Sequence, residues 1–195
     1  MTESRPAETP IGGVALLERA IGYTLGTLHG VTTAALSQPT PCPEWDVRAL
    51  LVHMHDSLGA LQEATDLGQV GPSPVTYHGD PAADLVSVLR DQAGQLLGTW
   101  AGADTGLVSV GGCPVSTSIV TSVGAVEIAV HGWDVAQACG QRRPLPDELA
   151  EEMLWLCHLF VTETDRPARF AAPVAVPPQA RPGARLLAFL GRSPG

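Results

Sequence analysis

Apolar residues recur at helical spacing along most of this chain, and this periodicity restricts its fold more than any other feature. Leu17, Ile21, Leu25 and Leu28 illustrate the pattern, because side chains three or four positions apart share one face of a helix. Strand-like alternation is scarce, so we predict an all-α protein. The periodic segments predict five helices, at about 12–36, 46–67, 80–100, 115–139 and 147–164.

The connections between these helices complete the expected architecture. Most are short, which favours antiparallel neighbours and therefore an up-down four-helix bundle. Residues 167–182 contain five prolines and should form an extended tail before a further C-terminal helical segment, ARLLAFLGR. Asp46 is expected to cap the second helix, Asp80 and Pro81 to open the third, and Gly140 to close the fourth.

Length and charge narrow the class of protein. The 195 residues suit one domain, expected over 12–192, after a flexible N-terminus at 1–11. The net charge of −9 argues against nucleic-acid binding, which requires a basic surface. The weakly polar run 115–130 is too short to span a membrane, and no export signal is present. We therefore expect a cytoplasmic protein that acts on a small-molecule substrate, without a membrane or nucleic-acid partner; a homodimer is compatible with this description.

The cysteines and the basic residues add two compositional expectations. No CxxC pair is present, so without an export signal we expect free thiols at Cys42, Cys113, Cys139 and Cys157. Local spacing places no base beside Cys42, which favours a small, buried apolar role for it. All eleven basic residues are Arg and the chain lacks Lys and Asn, a bias typical of a high-GC bacterial genome.

The fourth predicted helix carries the most informative residue pair. Glu127 lies in an apolar run, with no other charged residue between it and Asp104. A buried carboxylate needs a partner, and His131 lies four residues on, on the same helix face. The pair fits either a Glu–His hydrogen bond within the core or two ligands of one metal ion.

A metal ion would need a third ligand from another helix. The second helix offers His53 and His55, which flank its apolar stripe on opposite sides, so periodicity does not choose between them. Neighbouring residues favour His53 weakly, because it shares its side with Leu50 and Ala60, whereas His55 shares its side with charged Asp66. The remaining histidines lack such a context and are expected to be ordinary surface or hydrogen-bonded side chains: His29, His78 and His158.

Three stretches of the chain, PTPCPEWDVRALLVHM, VEIAVHGWDVAQACG and RLLAFLGRSP, resemble the DinB-like superfamily. Within it, the chain is most similar to the actinobacterial group related to the N-terminal domain of mycothiol-dependent maleylpyruvate isomerase, over about residues 12–192. This resemblance implies a four-helix bundle that holds a divalent metal ion, usually zinc. Carried onto this sequence, the implied ligands are His53, Glu127 and His131, which selects His53 over His55.

The resemblance also implies mycothiol as a possible cosubstrate. Two neutral imidazoles and one carboxylate leave zinc one open tetrahedral position, where a small thiol could bind as thiolate. Asp134, three residues after His131, is placed to accept a hydrogen bond from that imidazole. Trp45 and Trp133 are expected to be packing residues.

One difference from the maleylpyruvate isomerases leaves the specific reaction unassigned. The maleylpyruvate isomerases carry a further C-terminal domain that contributes to catalysis, and we expect no comparable domain in this protein beyond the ARLLAFLGR segment. We therefore expect a zinc-dependent isomerase- or transferase-type enzyme without assigning the isomerase reaction itself. The alternatives are a metal-dependent biosynthetic tailoring enzyme that uses no thiol, and a non-catalytic metal-binding or sensory bundle.

Overall fold

The computed structural model describes residues 12–43, 45–71, 84–100, 106–166 and 169–194. Within these residues the chain is mostly helical and carries a small three-stranded sheet. The helices are α1 Gly13–Thr27, α2 Val47–Leu67, α3 Leu85–Trp100, α4 Thr117–Ala138, α5 Asp147–Phe160 and α6 Pro182–Phe189. The strands are β1 Gln69–Val70, β2 Leu107–Val110 and β3 Cys113–Ser116. The expected flexible segment 1–11 and the expected helix start at Asp80 and Pro81 lie outside the described residues.

The small sheet corrects the all-α prediction. Strands β2 and β3 form an antiparallel hairpin, and β1 pairs with β2 in parallel. The hairpin turns at Gly111 and Gly112, which have φ angles of 56° and 86°. Two consecutive residues with positive φ match the right-handed twist of the flanking strands, and glycine adopts that conformation without steric cost. The Gly-Gly pair between VSV and CPVS was therefore the missed strand signal.

Two predicted helices end earlier than expected. Helix α1 ends at Thr27 rather than near residue 36, and short 3-10 turns follow at Leu28–Gly30 and Thr33–Ser37. Thr32 adopts an extended backbone and its hydroxyl accepts from the Ala35 amide, which starts the second turn instead of continuing the helix. Helix α5 ends at Phe160, before a 3-10 turn at Glu163–Asp165 that a reciprocal Thr162–Asp165 cap holds.

The predicted caps at Asp46 and Gly140 are confirmed, and Ser116 is a further cap that the sequence analysis did not identify. The Asp46 carboxylate accepts from the Ala49 amide at 2.8 Å, as expected for the cap of α2. Ser116 caps α4 by accepting from Ile119. Helix α4 closes at Gly140, whose φ is 68°.

Helix α4 lies at the centre of the packing. It packs along α1 and against α2, while α2 also packs on α3, and α5 packs on α6. Gly132 of α4 allows a close approach to α1, since a Cβ there would lie 2.4 Å from Thr24 Oγ1. The run at 115–130 was expected to be too short to span a membrane, but α4 is longer than that run and by length and composition could cross one. Nevertheless, 72% of its apolar stretch is buried inside the protein, as in the core helix of a globular domain.

Candidate metal centre

Helices α2 and α4 bring three donor atoms together. His53 lies in the N-terminal half of α2, and Glu127 and His131 lie one turn apart on α4. Glu127 Oε1 lies 2.5 Å from His53 Nε2 and 3.3 Å from His131 Nε2. The two imidazole rings meet edge to face, with their centroids 5.0 Å apart. All three ligand atoms lie within 4.8 Å of one another, close enough to share one cation.

Asp134 orients His131 from the next turn of α4. The Nδ1 of His131 donates to Asp134 Oδ2 at 3.0 Å, and Asp134 is fully buried. With Nδ1 engaged, Nε2 is the ring nitrogen that faces Glu127 and His53. A carboxylate behind the imidazole is the usual arrangement around metal-binding histidines, because it fixes both the tautomer and the ring orientation.

Two further groups converge on Asp134 from distant parts of the chain. Arg192, after α6, donates from Nη2 to Asp134 Oδ2 at 2.9 Å. The Cys42 thiol donates to the same oxygen at 3.4 Å and lies 4.0 Å from His131 Nδ1. Local spacing gave no hint of this, so the prediction of an apolar environment for Cys42 was wrong.

Trp45 forms an aromatic wall beside the two histidines. Its ring centroid lies 4.5 Å from that of His53 and 5.9 Å from that of His131. The bridge between Pro39 and Asp46 fixes the segment that carries Trp45 just before α2 begins. Trp45 packs against the hydrophobic core, as the sequence predicted, and its ring also borders the candidate centre.

The hydrogen bonds of this cluster set its protonation. Burial raises the pKa of Glu127, but hydrogen bonds from His131 and His53 outweigh it and hold this pKa well below its usual value. Burial lowers the pKa of His131, but hydrogen bonds with Asp134, Cys42 and Glu127 raise it well above 6.5. Without a metal ion, the centre therefore favours a Glu127 carboxylate beside a protonated His131, and a cation must displace that proton to bind.

The centre is buried on one side and open on the other. The His131 side chain is 9% exposed, whereas those of His53 and Glu127 are 34% and 37% exposed. Within the described residues, no fourth His, Cys, Asp or Glu joins this trio. The trio therefore faces solvent on the side of His53 and Glu127.

A second group of donors, Cys42, His131 and Asp134, is also close enough to hold a cation. Its chemistry is less suitable, because the Arg192 guanidinium already contacts both Asp134 oxygens, at 2.9 and 3.3 Å. His131 Nδ1 and the Cys42 thiol also direct hydrogens at that carboxylate. A cation there would have to displace a positive charge, so the His53 trio is the better candidate.

The remaining predicted residues lie elsewhere. His55 Nδ1 lies 3.4 Å from Asp56 Oδ1, away from the trio. His158 contacts the Leu154 carbonyl on α5, and His78 is outside the described residues. All four cysteines are free, as the sequence predicted. Arg192 was not anticipated, because its partner lies 58 residues away.

Comparison with known proteins identifies the family to which this chain belongs. The model of the mycothiol maleylpyruvate isomerase N-terminal domain matches residues 17–136, which include His53, Glu127, His131 and Asp134 but not Arg192. Two uncharacterized proteins of Mycobacterium tuberculosis, from strains CDC 1551 and H37Rv, are each 28% identical over 181 residues. These alignments cover 90% of this chain and 95% of each relative. The resemblance noted in the sequence is thereby confirmed, and the chain belongs to the family of mycothiol maleylpyruvate isomerase N-terminal domains.

Proposed function

We propose that this protein is a divalent-metal-dependent enzyme whose metal ligands are His53, Glu127 and His131, with zinc as the expected ion. The observation that carries the proposal is the convergence of three donor atoms from two helices, on a side of the protein that solvent reaches. A structural zinc site is normally closed by four protein ligands, whereas a catalytic one keeps a position open. The partial exposure of His53 and Glu127 favours the catalytic type.

The donor set fits zinc chemically. Two imidazole nitrogens and one carboxylate oxygen are common zinc ligands. Asp134 holds His131 so that Nε2 remains for the ion, and Trp45 borders the two imidazoles. Ser57 Oγ, 3.4 Å from Glu127 Oε1, can hold that carboxylate in place.

The proposed reaction class is thiol-dependent isomerisation or transfer on a small electrophile, with mycothiol as the cosubstrate. Family membership supports the choice of thiol. When bound, zinc would lower the pKa of a coordinated thiol and hold it as the nucleophilic thiolate. The chain's own residues hold the ion and leave the approach from the His53 side open.

The proposed fold, domain bounds and partners are consistent with this function. We propose that α1 to α4 form the up-down bundle of the DinB-like superfamily within one domain spanning 12–192. The partner is then a small-molecule substrate in the cytoplasm rather than a nucleic acid or a membrane, and a homodimer is compatible with that role. The acidic net charge of −9 supports the exclusion of nucleic acid.

Calorimetry with mycothiol tests the thiol-dependent reaction. Zinc-loaded protein should bind the thiol and release a proton, so the observed heat should depend on the ionisation enthalpy of the buffer. The chelated apoprotein should not bind it. Equal binding by both forms, or binding by neither, would contradict the thiol-dependent reaction. The account would then reduce to a Lewis-acid enzyme without a thiol or to a non-catalytic metal bundle.

A further inference from the structure

Arg192 connects the C-terminal end of the chain to the candidate metal centre. Its Nη2 donates to Asp134 Oδ2 at 2.9 Å and its Nε donates to Asp134 Oδ1 at 3.3 Å. Contact with both oxygens fixes the plane of a carboxylate, which a single contact does not. A third contact, from Nη1 to the Leu190 carbonyl at 3.2 Å, holds the guanidinium itself.

A local motif at the end of α6 places Arg192 at this position. The Gly191 amide donates to the Ala188 carbonyl, and the Arg192 amide donates to the Leu187 carbonyl. Together with φ of 82° at Gly191, these two bonds form a Schellman motif that ends α6 and reverses the chain. The sequence Leu-Gly-Arg thus encodes the turn that aims Arg192 back at α4.

The pair that Arg192 and Asp134 form is almost inaccessible to water. The Arg192 side chain is 12% exposed and that of Asp134 is fully buried. A buried carboxylate requires a compensating charge, and removing one partner of a buried ion pair strongly destabilises the protein because the remaining charge is left uncompensated. Cys42 and His131 also hydrogen-bond to Asp134, but Arg192 is the group in the described part of the chain that brings a permanent positive charge to it.

We infer that Arg192 is a positioning residue of the metal centre, acting through Asp134 on His131. The inference rests on the proposed metal site. Arg192 fixes the orientation of the Asp134 carboxylate so that it faces His131 Nδ1, and His131 Nε2 then remains directed at the ion. The C-terminal segment is therefore part of the metal centre, although it lies outside the region 17–136 that the family model matches.

Three variants separate this role from simple stabilisation. Arg192→Met removes the charge while keeping an unbranched side chain. Arg192→Lys keeps the charge but lacks the planar fork of two nitrogens that contacts the two carboxylate oxygens separately. Arg181→Met is the control, because Arg181 also pairs with an aspartate, Asp147 at 2.9 Å, in an exposed pair that makes no part of the trio. Zinc affinity is measured by competition with a chromophoric chelator, the ligand field by the visible spectrum of the cobalt-substituted protein, and folding by thermal unfolding of each apoprotein.

We expect Arg192→Met to weaken zinc binding by about 10-fold or more and to alter the cobalt spectrum, as removal of a partner behind a metal-binding histidine generally does. The zinc affinity of Arg192→Lys should lie between those of Arg192→Met and the wild type. Arg181→Met should match the wild type in both affinity and spectrum. Wild-type affinity and spectrum in a folded Arg192→Met protein would overturn the inference. If that variant does not fold, wild-type affinity and spectrum in Arg192→Lys would overturn it. Failure of the wild type to bind zinc would instead reject the proposed function on which the inference rests.

Discussion

His131 donates from Nδ1 to Asp134 at 3.0 Å, one turn along the same helix, and this bond determines which ring nitrogen faces Glu127. Every other contact of Asp134 reinforces it, since Arg192 and Cys42 also direct hydrogens at the same carboxylate. The charge of Asp134 therefore matters to the candidate metal centre even though Asp134 does not touch the site of the ion.

Asp134→Asn tests this contribution. The amide oxygen can still accept from His131, but its lower basicity and the unpaired Arg192 guanidinium should weaken zinc binding by about 10- to 100-fold. Chelator competition measures the affinity. Asp147→Asn, which disrupts the surface pair with Arg181, is the control and should bind zinc like the wild type. Equal affinities in the two variants would contradict a role for the Asp134 charge.

The pH dependence of stability should differ between the metal-free and metal-loaded proteins. The folded pKa of His131 lies well above its unfolded value of 6.5, so protonation of His131 favours the folded apoprotein. This stabilisation is complete below pH 6.5 and is lost as the pH rises towards the folded pKa. Zinc competes with the same proton, so the stabilisation that zinc provides should increase over the same range.

Thermal unfolding at a series of pH values checks this prediction. The unfolding temperature of the apoprotein should decrease as the pH rises above 6.5. His131→Gln should remove the part of this decrease that is due to His131. The difference in midpoint between zinc-loaded and apo wild type should widen with pH. A difference that stays constant, or that narrows as the pH rises, would be incompatible with His131 as both proton acceptor and ligand.

Cys42→Ala distinguishes the two candidate metal groups. If the ion is held by His53, Glu127 and His131, this variant should retain zinc at one ion per chain, because it removes only one of the hydrogen bonds to Asp134. If the ion were instead held by Cys42, His131 and Asp134, the variant would lose it. Metal analysis of the purified variant, with Cys113→Ala as an exposed-cysteine control, decides between them.

Much of this arrangement could be predicted from the sequence because it depends on local patterns. Helical periodicity located α2 and α4, and Asp46 was identified as the cap of α2. The isolation of Glu127 in an apolar run pointed to the pair with His131. The choice of His53 over His55 came from family resemblance, since both flank the apolar stripe of α2 and periodicity cannot distinguish them.

The missed features depend on tertiary contacts or on short-range turn chemistry. Cys42 and Arg192 reach Asp134 across 92 and 58 residues, and no local spacing encodes such contacts. The sheet was missed because its strands have at most four residues, although the Gly111–Gly112 pair did signal the hairpin. The first helix was predicted to extend too far because its periodicity continues past Thr27, whereas the Thr32 side chain caps a new turn there.

The close contact of α1 with α4 gives a prediction about stability. Gly132→Ala would place a methyl group 2.4 Å from Thr24 Oγ1, which donates to the Ile128 carbonyl. We expect a loss of about 1–3 kcal/mol in the free energy of unfolding, typical of overpacking. Gly94→Ala on α3 meets nothing within 4 Å and should instead stabilise by up to about 1 kcal/mol. Denaturant unfolding of both variants provides the comparison, and equal shifts would contradict the tight packing of α1 on α4.

The metal content of the purified protein tests the central claim most directly. Elemental analysis should find close to one divalent ion per wild-type chain, and the ion should be lost from His131→Ala and from the double variant His53→Ala/His131→Ala. Circular dichroism establishes that each variant remains folded, and His55→Ala, whose side chain lies outside the trio, serves as the control that should retain the ion. Full occupancy in the folded double variant would show that the ion is held elsewhere. That result would contradict the assignment of His53, Glu127 and His131 as the metal centre.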